Sequence, residues 1–213
     1  MDNANWPLFE LEISTPRLTL RYLDDELAAQ TVEVAARGVH DPATMPFTTA
    51  WTDLPSPQLE QDAMRFYWRC RADTAPASWR LPHAVIVDGR AIGIADLSAT
   101  DFPVLRGFET GSWLGLEFQG RGLGKELRMA ALTLGFDGLG AEFARTSAWQ
   151  DNEASLGVTR SLGYEHVGQD RQLRRGEPDD ILKFRMDRDH WATIRRDDIT
   201  LHGVERARNF LGL

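Results

Sequence analysis

Residues 17–23, Arg-Leu-Thr-Leu-Arg-Tyr-Leu, alternate polar and apolar side chains at period two, which predicts a half-buried strand introduced by Thr15-Pro16. Asp24-Asp-Glu then opens a helix, with acidic residues at its positive end and Leu27, Ala28, Thr31, Val34 and Ala35 on one face before Gly38 stops it. Residues 40–57 carry Pro42, Pro46, Pro55 and Pro57 around Phe47 and Trp51, the signature of a long loop, and loops of that length in compact domains commonly carry function. Residues 58–71 read as a helix. Two apolar runs, 81–87 and 90–97, flank Asp88-Gly89 and predict a hairpin. A further strand is predicted at 109–116, and a helix at 122–136 from Leu123, Leu127, Ala130, Ala131 and Leu134 at three- and four-residue steps.

Residues 142–149 predict a strand, and Asp151-Asn-Glu-Ala-Ser opens a helix that stops at Gly163. A short strand at 164–168 follows, residues 171–180 are read as a charged turn, and 181–186 return as a strand before a short helix at 187–195. The fold class expected is α+β: a mixed, mostly antiparallel sheet of about seven strands flanked by helices, in one domain spanning 1–213. Its parts are an N-terminal strand and helices over about 15–80, a second half over about 81–186, and a C-terminal extension, 187–213.

Composition narrows the function classes. The chain has 213 residues and a formal net charge of −8, which argues against a general nucleic-acid binder, whose affinity rests on clustered cations. The single cysteine, Cys70, excludes an intramolecular disulfide and a cysteine-based zinc cluster, and no residues have metal-ligand spacing, so no metal is expected. The start MDNANWPLFELEIS lacks the basic and apolar regions of a signal peptide, and no run approaches the roughly 20 apolar residues that span a bilayer. The expectation is a cytoplasmic protein with no membrane partner, and homo-oligomerisation is left open.

The chemistry concentrates in QGRGLGK, residues 119–125, where a predicted strand gives way to a helix through three glycines. A P-loop requires Gly at 119 and Ser or Thr at 126, but those positions are Gln and Glu. A dinucleotide fingerprint requires Gly or Ala at 125 or 127, which are Lys and Leu. What survives is a strand-turn-helix junction whose backbone N–H groups and helix dipole converge on an anion such as a phosphate or pyrophosphate.

Gln119, Gly122 and Gly124 match the Q/R-x-x-G-x-G/A signature of the GNAT superfamily of acyl-coenzyme A dependent N-acyltransferases. Glu109-Thr-Gly-Ser-Trp-Leu-Gly, Asn152-Glu-Ala-Ser155 with Gly163-Tyr164, and Thr15-Pro-Arg-Leu-Thr-Leu-Arg resemble its ribosomal-protein N-acetyltransferase branch. Trp6-Pro-Leu-Phe, Gly38-Val-His-Asp-Pro, Met45-Pro-Phe and Asp101-Phe-Pro further resemble an actinobacterial group of that branch for which a succinyl donor has been proposed.

The resemblance implies a GNAT fold whose second half binds acyl-CoA as co-substrate, either acetyl-CoA or succinyl-CoA. Gln119, Gly120, Arg121, Gly122, Leu123, Gly124 and Lys125 would hold the pyrophosphate, and Trp113, Leu114, Gly115 and Leu116 would pair with the pantetheine. Asn152 would reach the pantetheine amide or cap its helix, and Ser155 would face the thiol or the backbone. Tyr164 is the implied general acid and Glu109 the candidate base, with His83 and Asp96 as weaker bases. Phe47, Trp51, Trp68 and Trp79 fall in or beside segments that wall the acceptor site in this fold. The acceptor is a primary amine on a small molecule, peptide or protein N-terminus, attacked directly in a ternary complex. Acetyl transfer is the first reading and succinyl transfer the second, the latter needing a cation in the acyl pocket. A third reading is a non-catalytic acyl-CoA sensor.

Overall fold

The computed structural model describes residues 5–213; the first four residues of the start read above lie outside them. A short 3-10 turn, Pro7–Glu10, precedes β1 (Glu12–Ser14), β2 (Thr19–Tyr22), α1 (Asp25–Arg37), α2 (Gln58–Ala72), β3 (Ser78–Val87), β4 (Arg90–Thr100) and the one-turn α3 (Phe102–Leu105). The chain continues through β5 (Gly107–Leu114), α4 (Leu123–Thr133), β6 (Phe143–Trp149), α5 (Glu153–Ser161), β7 (Glu165–Arg174), β8 (Glu177–Asp187), α6 (Arg188–Ile194), β9 (Thr200–His202) and α7 (Val204–Leu211). The described strands form one sheet in the order β7-β8-β6-β5-β4-β3-β2-β1-β9. Every pairing is antiparallel except β5 with β6.

The mixed α+β architecture is the one expected, with two strands more than the count of about seven. Both extra strands, β1 and β9, are three residues long, too short to register a period, and they pair with each other at the sheet edge. Residues 171–180 are also not a turn. β7 runs on to Arg174 and β8 starts at Glu177, joined by Arg175 and Gly176 at φ of 50° and 87°. Its charges are cross-strand partners, Arg171 with Asp180, Arg174 with Asp179 and Lys183 with Asp170, on a ribbon exposed to water.

Two helical layers cover the sheet. On one face α4 lays Leu123, Leu127, Ala130, Ala131 and Leu134 against Leu20, Leu81, Ile92, Leu97 and Phe108. On the other, α1 and α2 contribute Leu27, Ala28, Val32 and Tyr67 against Ala84 and Ile94. Asp24 caps α1 by accepting from Leu27 N at 2.8 Å, as the acidic start predicts. The C-terminal extension folds back so that Phe210 of α7 meets Trp6 edge-on, 4.9 Å between ring centres.

Candidate active site

β5 lies between unlike neighbours, and that placement generates the site. It pairs with β4 from Glu109↔Ser98 to Leu114↔Gly93, yet meets β6 at only three rungs: Gly107↔Phe143, Phe108↔Ala144 and Glu109↔Arg145. β6 meanwhile follows β8 to Trp149↔Ile181. Beyond Glu109 the two parallel strands part. Side chains replace ladder bonds where they separate, Thr146 Oγ1 donating to Thr110 O at 3.2 Å and Thr110 Oγ1 to Arg145 O at 3.4 Å.

The glycine turn lies beyond the open end of this gap. Gly115 and Leu116, read from sequence as strand, belong instead to the exit from β5: Leu116 N donates to Gly38 O at 3.1 Å, and Leu116–Phe118 is a 3-10 turn. The Gln119 amide nitrogen donates to Val39 O and Leu114 O, each at 2.7 Å, so its side chain fastens the turn to the protein. Gly120 and Gly122 follow at φ of 72° and 75°, a backbone that side chains rarely adopt. Gly122 caps α4 and no side chain satisfies the helix start, leaving its first N–H groups for another acceptor. Gly124 faces α5: a Cβ there would sit in ordinary contact, 3.6 Å from Val158, so that only a larger side chain would press on that helix.

Thr15 and Arg17, conspicuous in the sequence as a strand entrance, brace this turn from behind. The Arg17 guanidinium donates to the carbonyls of Arg121 at 3.1 Å and Gly122 at 3.2 Å and pairs with Glu126, while Thr15 Oγ1 donates to Glu126 at 2.6 Å. Burial alone would raise the Glu126 pKa; hydrogen bonds from Thr15 and Arg17 and the guanidinium charge outweigh it and hold the carboxyl below its ordinary value. Neither Arg17 nor Glu126 is discernible as a site residue from sequence, because their sequence separation hides the contact. Of the two cations in the turn, Arg121 donates to Glu117 O at 2.7 Å and Lys125 to Ser161 O at 3.3 Å; both remain exposed beside the helix start.

On the α4 face, beneath the point of parting, lies a polar cluster. Arg128 is 4% exposed and donates Nη1 to Thr146 Oγ1 at 3.1 Å, with no carboxylate partner among the described residues and no partner for Nε. A buried cation without a counter-charge is costly, which marks the spot. Tyr164 sits in the same core, its hydroxyl beside Arg128 and Thr110 without closing a hydrogen bond to either. Burial raises its pKa, and the Arg128 charge opposes the rise. Sequence reasoning missed Arg128, although it is the single charged position between Leu127 and Phe136 in an otherwise apolar helix.

On the α2 face, Glu109, Gly111 and Trp113 alternate with the α4-facing residues. An open cleft of about 500 Å³ lies there, lined by Phe66, Arg69, Arg80, Ser98, Glu109 and Arg145 among others. Asp96 of β4 stands opposite Gly111, its Oδ2 at 3.3 Å from Arg80, and burial pushes its pKa up to about 6 against the attraction of that arginine. Above the gap, Phe47 and Trp51 of the long loop stack toward Trp113, at 5.2 and 5.8 Å between successive ring centres. Trp149 Nε1 donates to Phe47 O at 3.2 Å, so the loop spans from the end of β5 to the end of β6. Arg174 and Arg175 of the β7–β8 hairpin fasten it further, through Met45 O, Pro42 O and Asp53.

Other expected site residues are placed elsewhere or doubly used. Asn152 caps α5, accepting from Ser155 N at 3.1 Å, and Ser155 lies half-buried in the first turn of that helix. Trp68 is exposed on α2 and donates to Asp25, away from the cleft wall, because the buried stripe of that helix runs through Leu59, Tyr67 and Cys70. Trp79 packs into the core against Phe102, 5.2 Å between ring centres, while touching the cleft. His83 is 0% exposed, packed edge-on to Tyr22, and burial drives its pKa down to about 4; it is a core residue with no route to an acceptor. No group of three or more potential metal ligands occurs among the described residues, and no described helix is long and apolar enough to cross a membrane.

The fold has solved counterparts. A ribosomal-protein-S5-alanine acetyltransferase from Vibrio fischeri superposes with a TM-score of 0.65 at 18% identity, over 84% of this chain and 98% of that one. The RimL ribosomal L7/L12 alpha-N-protein acetyltransferase, solved in complex with coenzyme A, superposes at 0.65 with 16% identity, over 83% and 97%. A GCN5-related N-acetyltransferase from Brucella melitensis superposes at 0.68 with 19% identity, over 89% and 86%. At such identities these likenesses speak for the fold. The sequence profile of the acetyltransferase (GNAT) domain matches residues 17–165, from the arginine that braces the glycine turn to the residue after Tyr164, and on that match the chain belongs to the GNAT acetyltransferase domain family.

Proposed function

We propose that this protein is an N-acyltransferase that moves an acyl group from acyl-CoA to a primary amine by direct attack in a ternary complex. The observation that carries the reading is the gap between β5 and β6, which leads to the uncapped, glycine-lined start of α4. Coenzyme A fits this arrangement in two places. Its pyrophosphate takes the free N–H groups from Gly120 to Lys125, with Arg121 and Lys125 as charge partners. Its pantetheine, whose amides seek a strand edge, takes the edge of β5 that β6 has vacated, at Trp113 and Leu114, and runs on past the exit at Gly115 and Leu116, with Asn152 near its amide.

The thioester then lies where the strands separate. A β5 N–H released by the parting stabilises the tetrahedral oxyanion. The amine enters from the α2-side cleft, drawn by Glu109, and Tyr164 or Ser155 on the opposite face assists departure of the thiol. An added amine should therefore release free thiol from acyl-CoA, and a primary-amine panel of amino acids, peptides and polyamines tests it. Acyl-CoA bound tightly with no thiol released by any amine would instead favour the sensor reading.

Acetyl-CoA is the first donor to test. A second donor is favoured by one observation: Arg128 and Tyr164 offer a buried, uncompensated guanidinium and an unpartnered hydroxyl beneath the gap. The distal carboxylate of a succinyl group would satisfy both. If that is the donor, Arg128→Met lowers kcat/KM for succinyl-CoA by about a hundredfold, as expected for a lost buried charge pair, while leaving acetyl-CoA within a few-fold. An equal loss with both donors assigns Arg128 to the fold.

A further inference from the structure

The acyltransferase reading needs a group that removes a proton from the acceptor ammonium, and sequence reasoning gave that role to Glu109. Glu109 is exposed and belongs to the last rung of the β5–β6 pairing. Asp96 is better placed. Resting on that reading, we propose that Asp96 takes the ammonium proton, and that Glu109 serves to attract the cation into the cleft.

Strand register sets Asp96 directly across from Gly111, the second β5 residue past the last rung with β6. Opposed residues on antiparallel strands lie about 5 Å apart, so the Asp96 side chain needs only a rotation to bring its carboxylate over Gly111. That space is empty: a Cβ built on Gly111 meets no atom within 4 Å. Asp96 lies on the same sheet face as the cleft, between Arg80 and Ser98 at its wall and Ile94 in the core under α1 and α2. Its Oδ1 is buried without a hydrogen-bond partner, while Oδ2 is held by Arg80. A buried carboxylate with one oxygen held and the other unpartnered, one side-chain rotation from an empty space, is placed to accept a proton there.

The surroundings keep it basic near neutrality. Arg80 from β3 is the cation facing it; Tyr67 and Cys70 from α2 both feel its charge, and Glu109 is its diagonal neighbour on β5. Burial raises the tyrosine well above its usual value and pushes the thiol up to about 12, so both stay neutral. Burial likewise raises Asp96 to about 6, in the range where a general base works best at neutral pH. The same shift costs stability. The folded state binds this proton more tightly than the unfolded chain, so stability falls as pH rises from the ordinary aspartate value through about 6. A group that weakens the fold at working pH is characteristic of function.

In the step, an N–H bond of the ammonium breaks and its proton passes to Oδ1. The freed lone pair forms the C–N bond at the thioester carbonyl. Collapse of the tetrahedral intermediate breaks the C–S bond, the sulfur takes a proton from the Tyr164 or Ser155 hydroxyl, that hydroxyl is restored by one of the remaining nitrogen protons, and Asp96 releases its own proton to water through the cleft.

The test is Asp96→Asn beside Glu109→Gln, each assayed for amine-dependent thiol release from acyl-CoA between pH 5 and 9, with acyl-CoA affinity by calorimetry and melting temperature at pH 5 and 8. Wild type should show an acid limb in kcat/KM near pH 6. Asp96→Asn should lose that limb and fall by a hundredfold or more, with acyl-CoA affinity within twofold and a melting temperature raised more at pH 8 than at pH 5. Glu109→Gln should keep the limb and raise the acceptor KM. The proposal is overturned if Asp96→Asn retains the limb or stays within threefold of wild type. It is equally overturned if asparagine lowers the melting temperature at pH 8, which would make Asp96 structural. A wild type that releases no thiol with any amine would remove the acyltransferase reading itself, and this proposal with it.

Discussion

On the α4 face of β5 the site is made of backbone: the vacated strand edge, two left-handed glycines and the first N–H groups of a helix, braced by Arg17 through the carbonyls of Arg121 and Gly122. On the α2 face it is made of side chains from four elements: Glu109, Arg80 and Phe66 line an open cleft, and Asp96 lies behind its wall beside Arg80. Backbone recognition suits a donor whose pyrophosphate and amides are the same whatever acyl group it carries. Side-chain recognition suits an acceptor whose identity distinguishes one enzyme from another. Backbone and side chains should therefore fail differently when altered, the glycine turn in donor affinity and the side chains, Tyr164 on the α4 face included, in turnover or acceptor KM.

The largest effect on acyl-CoA affinity is expected at the turn. Gly122→Val places a β-branched residue at φ 75°, with its Cβ 3.7 Å from the Arg17 guanidinium that braces the turn, a strain of about 1–3 kcal/mol on the backbone that holds the anion. Acyl-CoA affinity by calorimetry should drop at least tenfold; unchanged affinity would move the donor elsewhere. Next is Tyr164→Phe, expected to lower turnover about tenfold with acyl-CoA affinity nearly constant. Because the hydroxyl is buried without a partner, the variant should be as stable as wild type or more stable by about 1 kcal/mol. Turnover equal to wild type would make Tyr164 a core residue alone.

Arg17→Met should come third. It removes the brace and leaves Glu126 with Thr15 and the backbone N–H of residue 17, costing about 1–2 kcal/mol once the half-exposure of Arg17 is discounted, and acyl-CoA affinity should weaken by a few-fold. An unaltered affinity would separate the brace from the turn. The smallest effect is in pH. The lowered Glu126 pKa contributes stability that is present above the unfolded glutamate value and is lost as pH falls through the folded one. Urea midpoints between pH 3 and 5 should decline less steeply in Glu126→Gln than in wild type.

The same contrast explains what was legible in the sequence. Glycines at 120 and 122 announce themselves because backbone geometry demands that residue type, and the helices declare their buried stripes by period, as Leu27, Ala28 and Thr31 of α1 do. The β7–β8 hairpin did not, since its exposed faces carry charges that mimic a loop until cross-strand pairs such as Arg171 with Asp180 are seen. Three-residue strands such as β9 have no period to read. Asp96 was visible only as a polar residue in an apolar strand; its standing over Gly111 depends on register across a hairpin. Arg17 and Glu126 meet across a sequence separation of 109 residues, and a separation so long leaves no trace in either local pattern.

The central claim is that the turn and the cleft serve one reaction, and it is tested most directly by free-thiol release from acyl-CoA with and without a primary amine, for wild type and Gly122→Val side by side. The account predicts release that depends on the amine in wild type and is lost in the variant at acyl-CoA concentrations that saturate wild type. Acyl-CoA binding with no amine-dependent thiol release in wild type, or release undiminished by Gly122→Val, would contradict it.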